Sequence, residues 1–266
     1  MAQPDTDGPS LPLYLTEMNR AMADYGLYLA ARPLLNRLPV GDGHPVLVLP
    51  GLLADDVSTR ILRRVLRRLG YRVHGWRLGR NIGPTAECVE GMSRRIDDLS
   101  DRYGRPISLV GWSLGGIFAR DLARKTPDSV RQVITLGSPF ALQRDTQTRA
   151  NKAFERYSHL HVEARTLPLQ SESTPLQVPA TSIYSHHDGI VAWQACLDRP
   201  SPQAENIAVY ASHLGMGHHP AVIYAVADRL AQPEGTWRPF RPPLALRPAF
   251  PRADVPQPSF AVAAAA

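Results

Sequence analysis

Apolar runs of strand length alternate with stretches of helical periodicity along most of the chain, the pattern of repeated strand-helix units around a parallel sheet. Six runs read as strands: 45–50, 71–78, 107–112, 131–137, 180–184 and 207–211. Helical periodicity occupies 58–69, 114–125, 220–230 and 85–103, the last with Val89, Met92, Ile96, Leu99 and Tyr103 on one face. Gly70 and Pro127 stand where helices should stop. The apolar stretch 11–38 is interrupted by Glu17, Arg20, Asp24, Arg32 and Arg37. Those interruptions predict an amphipathic helix, not a signal-peptide core or a membrane span. The expected fold class is α/β, with a mainly parallel sheet of about six strands flanked by helices.

Three segments follow from this pattern. Residues 1–40 read as a tail and the amphipathic helix, and 41–232 as the main domain. Between Pro139 and Pro179 no strand candidate occurs, so a cap insertion is expected at about 141–178. Residues 233–266 are rich in Pro and Ala, including Pro239, Pro242, Pro243, Pro248, Pro251, Pro256 and Pro258. Such a tail resists helix and sheet pairing, so it is expected on the surface or disordered.

Composition narrows the function classes. The chain's 266 residues, 44% hydrophobic and 20% charged, suffice for one core. A net charge of +6 raises nucleic acid as a partner, but much of the charge sits on helices. Arg60, Arg63, Arg64, Arg67 and Arg68 alternate with Ile61, Leu62, Val65, Leu66 and Leu69, the polar face of an amphipathic helix. No nucleic-acid-binding signature accompanies them, and no such partner is expected. Cys88 and Cys196 are far apart, against a disulfide framework or zinc site. A cytoplasmic protein without secretion signal is expected.

The chemistry begins at Gly111-Trp112-Ser113-Leu114-Gly115, a G-x-S-x-G sequence between a buried run and a helical stretch. A serine nucleophile needs a sharp strand-to-helix turn, which small neighbours such as Gly111, Gly115 and Gly116 permit. It also needs a base and an acid to orient that base, in the chain order Ser, Asp, His. Asp188 and His213 each follow a strand, so three strand ends converge where open α/β sheets bind ligands. Asp121, Asp128, Asp145 and Asp198 are rivals for the acid; His218 and His219 are rivals for the base. Their distance from strand ends favours Asp188 and His213. His186 and His187 lack metal-ligand spacing and read as polar groups beside the acid. The backbone N–H groups of Leu52 and Leu114 are the candidate oxyanion donors.

With these residues assembled, the chain resembles the α/β-hydrolase superfamily over most of 46–230, in particular bacterial esterases, triacylglycerol lipases and the GPI inositol-deacylase-like group. The matching stretches are Val46-Leu47-Val48-Leu49-Pro50-Gly51-Leu52, Gly79-Arg80-Asn81-Ile82-Gly83-Pro84, Leu109-Val110-Gly111-Trp112-Ser113-Leu114-Gly115-Gly116, Leu136-Gly137-Ser138-Pro139-Phe140 and Ser212-His213-Leu214-Gly215-Met216-Gly217. The resemblance implies an α/β-hydrolase fold with an inserted cap. It implies Ser113, Asp188 and His213 as nucleophile, acid and base, with Leu52 and Leu114 as the oxyanion hole. Pro50 stands where many members have His, and the usual N-terminal hairpin is missing, so a minimal six-stranded sheet is expected.

The expected activity is carboxylic-ester hydrolysis by an esterase or lipase, without cofactor or metal. Its expected partner is a small-molecule ester or lipid, with transient contact to a lipid surface and no transmembrane segment. Trp112, Phe140, Phe154 and Leu160 are candidates for the substrate pocket, with Leu167, Leu169 and Leu176 as further acyl-pocket candidates. An acyltransferase of the same fold and a catalytically inactive binding protein are the alternative readings.

Overall fold

The computed structural model describes residues 8–35, 37–142, 145–162 and 175–254. The strands are β1 (Pro45–Leu49), β2 (Arg72–Gly75), β3 (Ile107–Trp112), β4 (Val130–Leu136), β5 (Ala180–Ser185) and β6 (Ala204–Val209). The helices are α1 (Leu11–Leu15), α2 (Glu17–Leu35), α3 (Arg60–Arg68), α4 (Ala86–Tyr103), α5 (Leu114–Lys125), α6 (Asn151–Glu155) and α7 (Pro220–Leu230). All strand pairs are parallel and the spatial order is β2-β1-β3-β4-β5-β6.

β1, β3, β4 and β5 are buried at every residue, which is why they read as continuous apolar runs. Alternate side chains leave the sheet on opposite faces. Val46, Val48, Val110 and Ile134 join a core with residues of α2, α3 and α7. Leu47, Leu49, Leu109 and Val133 join the opposite core with α4 and α5. Each fully buried aliphatic side chain contributes about 1.5–3 kcal/mol, so the two faces together hold the sheet between helical layers.

Local chemistry sets the element ends. α4 starts at Thr85, whose hydroxyl accepts the Cys88 N–H at 3.1 Å, and stops at Gly104 in the left-handed conformation, φ 60°. β2 is shorter than its apolar run because Trp76 N–H and Arg77 N–H turn away, each to Asp56 at 3.1 Å. β6 begins earlier than expected, at Ala204. Its first half is polar edge strand, with Glu205 accepting from Thr181 at 3.1 Å and Arg229 at 2.8 Å. Apolar patterning carries no signal for such a segment.

The N-terminal amphipathic helix is turned inside out. Glu17, Ala21, Asp24, Tyr28 and Leu35 are its buried residues, so the two acids point inward while Met18, Met22, Tyr25 and Leu29 face out. In the inserted region, α6 is short, and Phe154 packs on the His161 ring at 4.5 Å. Residues 143–144 and 163–174, with Leu167 and Leu169, fall outside the described residues, and Leu176 beyond them is partly buried against the core of α4 and α5. After α7, Phe240 and Phe250 meet edge to face at 4.9 Å and pack against Tyr224, and Tyr184 donates its hydroxyl to Asp254 at 2.7 Å.

Candidate active site

The order β2-β1-β3 places a reversal of chain direction across the sheet between β1 and β3, where the crevice of an open α/β sheet lies at the strands' carboxyl ends. Ser113 stands at that point, between the last residue of β3 and the first of α5. Its backbone is at φ 53° and ψ −123°, a conformation non-glycine residues rarely adopt. The turn is closed by backbone contact. A Cβ on Gly111 would meet Gly115 O at 2.3 Å, and one on Gly115 would meet Leu49 O at 2.5 Å. The strand and helix therefore approach to a distance that only glycine permits.

Beside the serine runs the loop after β1. A Cβ on Gly51 would lie 3.2 Å from Ser113 Cβ. Fully buried Asn81 fixes this loop: its side-chain amide donates to Pro50 O at 2.9 Å and its backbone carbonyl accepts the Leu53 N–H at 2.6 Å. The N–H groups of Leu52 and Leu114 flank this space, and neither donates to a partner among the described residues. The positive end of α5 points to the same place.

Asp188 and His213 come together from the loops after β5 and β6. His213 donates from Nδ1 to Asp188 Oδ2 at 2.6 Å, and Asp188 Oδ1 accepts the N–H groups of Ile190 at 2.8 Å and Val191 at 2.7 Å. Both side chains are buried. Burial disfavours the imidazolium, yet the charge and hydrogen bond of Asp188, with Glu17 further off, raise the pKa of His213 above its usual value. The end of β3 is tied to this loop through Trp112, whose indole N–H donates to His213 O at 3.1 Å.

Two carboxylates of the N-terminal helix complete the support. Glu17 Oε1 accepts the Leu214 N–H at 2.8 Å, and Oε2 accepts the Gly189 N–H at 3.0 Å and Arg20 at 2.8 Å. One side chain on α2 thus spans the residues directly after Asp188 and His213. Asp24 accepts the Ser212 N–H at 2.9 Å and hydroxyl at 2.6 Å. A Cβ on Gly189 or Gly215 would collide with α1 or Asp24, at 2.4 Å and 2.0 Å. No local signal marks Glu17 or Asp24, because their partners lie far away in sequence; Asn81 stands in the matching stretch 79–84, with no role assigned there.

The rivals are engaged elsewhere. His219 accepts the Ala221 N–H at the start of α7, and burial lowers its pKa; His218 donates to Ala21 O at 3.2 Å. Asp198 pairs with Arg120 at 2.7 Å, and Asp121 with Lys125. His186 contacts Asp254 at 2.7 Å, and the described residues contain no cluster of metal-ligating side chains. Among the pocket candidates, Trp112 packs into the core on one face and Phe140 is 0% exposed beneath Arg120. Phe154 is partly buried and Leu160 is exposed.

A second serine-histidine-aspartate chain lies near the start of β1. His44 Nε2 is 2.8 Å from Ser108 Oγ and its Nδ1 contacts Asp42. Ser108 and His44 are both 0% exposed, and burial lowers the His44 pKa. No substrate reaches them; they tie β1 to β3.

Solved structures share this architecture. A lipase B of Aspergillus fumigatus is similar at a TM-score of 0.57 and 16% identity, over 74% of this chain and 56% of that one. The chain therefore spans just over half of that lipase's length. A metagenome-derived lipolytic enzyme from the LipS and LipT study gives 0.51 at 17% identity, covering 72% and 93% of the two chains. An alpha/beta superfamily hydrolase from Oenococcus oeni PSU-1 gives 0.50 at 17%, covering 73% and 95%.

The chain has the α/β-hydrolase fold.

At these identities the likeness concerns the fold, and no protein-family model and no curated protein matches this sequence. In this α/β-hydrolase fold the sheet is parallel throughout its six strands, and the N-terminal segment supplies helices where the sequence lacked a hairpin. No helix among the described residues is long and apolar enough to cross a membrane.

Proposed function

We propose that this protein is a serine hydrolase of carboxylic esters acting through an acyl-enzyme. The observation that carries the reading is Ser113, in a strained turn at the N-terminus of α5, with the buried His213–Asp188 pair at neighbouring strand ends. Because Nδ1–H of His213 is bound to Asp188, Nε2 is left to accept a proton. Ser113 Oγ attacks the ester carbonyl and its proton passes to His213 Nε2. The tetrahedral oxyanion is held by the N–H groups of Leu52 and Leu114. It collapses as the C–O bond to the alcohol breaks, and His213 returns the proton to the departing alkoxide. Water then attacks the acyl-enzyme with His213 as base, releasing the acid and restoring Ser113. Asp188 holds the tautomer and stabilises the imidazolium.

Hydrolysis of p-nitrophenyl esters by the native chain and by Ser113→Ala tests this. The substitution should lower kcat by roughly 10³-fold or more and abolish labelling by a fluorophosphonate, with the melting temperature unchanged. Turnover by Ser113→Ala at the native rate would remove Ser113 from the mechanism.

A further inference from the structure

α2 presents to solvent the face that a surface helix normally buries. Met18 is 61% exposed, Met22 69%, Tyr25 44%, Leu27 52%, Leu29 49% and Leu34 61%, and α1 adds Leu11 and Leu15 at 55% and 68%. With the exposed Ala23, Gly26 and Ala30, these positions cover roughly 200° of α2 at about 100° per residue, interrupted by Asn19. The arc is much wider than the narrow seam with which one helix packs on another. An apolar face this continuous on a protein surface marks an interaction site.

The charges of the segment say which kind. Its two described acids, Glu17 and Asp24, are buried beneath the helix at 3% and 6% exposure and are bound to the loops of the candidate active site. The exposed charges of residues 8–40 are Arg32, at the edge of the apolar stripe, and Arg37 just beyond the helix. A second copy meeting this face by two-fold symmetry would offer these arginines no exposed acid from the same described segment. Anionic lipid headgroups neutralise the same arginines while the acyl region takes up the methionines, leucines and tyrosine.

We infer that the outer face of α1 and α2 docks on an anionic lipid surface. The helices would lie in the interfacial plane, with Leu214, 37% exposed and directly after His213, held beneath by Glu17. Docking in this way brings the loops after Asp188 and His213, which the inner side of α2 binds, to within one helix of the lipid, and it deepens the ester reading by naming where the substrate is met. The docking itself needs no catalysis, so it is measured on Ser113→Ala protein and stands or falls separately from hydrolysis.

The experiment is co-sedimentation of the full chain, carrying Ser113→Ala, with vesicles of equal parts phosphatidylcholine and phosphatidylglycerol, and with phosphatidylcholine vesicles alone. Binding to the mixed vesicles is expected, weakened by salt and weaker on phosphatidylcholine. In the same background Met22→Gln with Leu29→Gln should lower partitioning roughly tenfold or more, and Arg32→Gln with Arg37→Gln should remove the preference for the anionic vesicles. In the otherwise native chain both pairs should retain the melting temperature and the rate on a soluble ester. A native chain that stays in the supernatant, or a Met22→Gln, Leu29→Gln chain that binds as well as the native one, would overturn docking. So would a light-scattering dimer that this double substitution dissociates, which would assign the face to a second copy.

Discussion

His213 carries the pH behaviour of the candidate site. Burial opposes its charge, but Asp188 and Glu17 together hold its pKa above the usual 6.5. As the general base it must be neutral, so the acid limb of kcat/KM should lie above pH 6.5 in the free protein. Glu17→Gln removes one of the two negative charges and keeps an acceptor for only one of the Gly189 and Leu214 N–H groups, which bind different oxygens of the carboxylate. That substitution should move the limb to lower pH, measured as kcat/KM against pH; a profile that does not move would leave Glu17 a purely structural tie. The stability linkage has the matching sign. A raised histidine pKa contributes stability that is fully present below the unfolded value and is lost as pH rises through the folded one. Asp188 and His213 were legible in the sequence because each follows an apolar run with recognisable chemistry. Glu17 was not, since a charge on a helix reads as solvent-facing until the helix is docked.

Among the elements, the turn from β3 to α5 is the least tolerant. A methyl group on Gly115 would sit 2.5 Å from Leu49 O and 2.6 Å from Pro50 O, both backbone atoms of the neighbouring strand and its loop. Neither can swing aside as a side chain would. Gly115→Ala should therefore destabilise the protein by roughly 3 kcal/mol, as overpacking against rigid neighbours does, and lower activity by displacing Ser113 and Leu52. Urea denaturation with an ester assay checks both effects; an unchanged midpoint would show that the strand and helix can separate freely. The glycines of this turn are local in sequence and so were readable. The charge interruptions predict an amphipathic helix over this stretch, and the structure forms α2 with its acids inward and much of its apolar surface outward. Periodicity places residues on faces; it does not say which face meets the protein.

For the whole molecule, the prolines after α7 matter more than their composition suggests. Phe240 and Phe250 pack on Tyr224, Phe240 N–H donates to Glu205 at 2.6 Å and Asp254 accepts from Tyr184, so the segment crosses α7 and β6 and reaches β5. Phe250→Ala should cost about 2 kcal/mol, the low end for a large core residue because Phe250 is partly exposed. Chemical denaturation measures that loss, and a change below about 0.5 kcal/mol, the range of ordinary surface substitutions, would mark the segment as a spectator. The sequence by itself determined the six strands, the four longer helices that accompany them in the sheet domain, the strained serine turn and the chain order of Ser113, Asp188 and His213. Burial on both sheet faces and backbone geometry at single glycines leave local marks in residue type, and those marks suffice. Only the tertiary structure decided that Glu17 and Asp24 face inward to bind the loops around Asp188 and His213, that Asn81 pins the loop beside Ser113, and that the apolar side of α2 faces out. Such assignments depend on partners many residues away, and the free energy that selects them exists only once those partners are packed together.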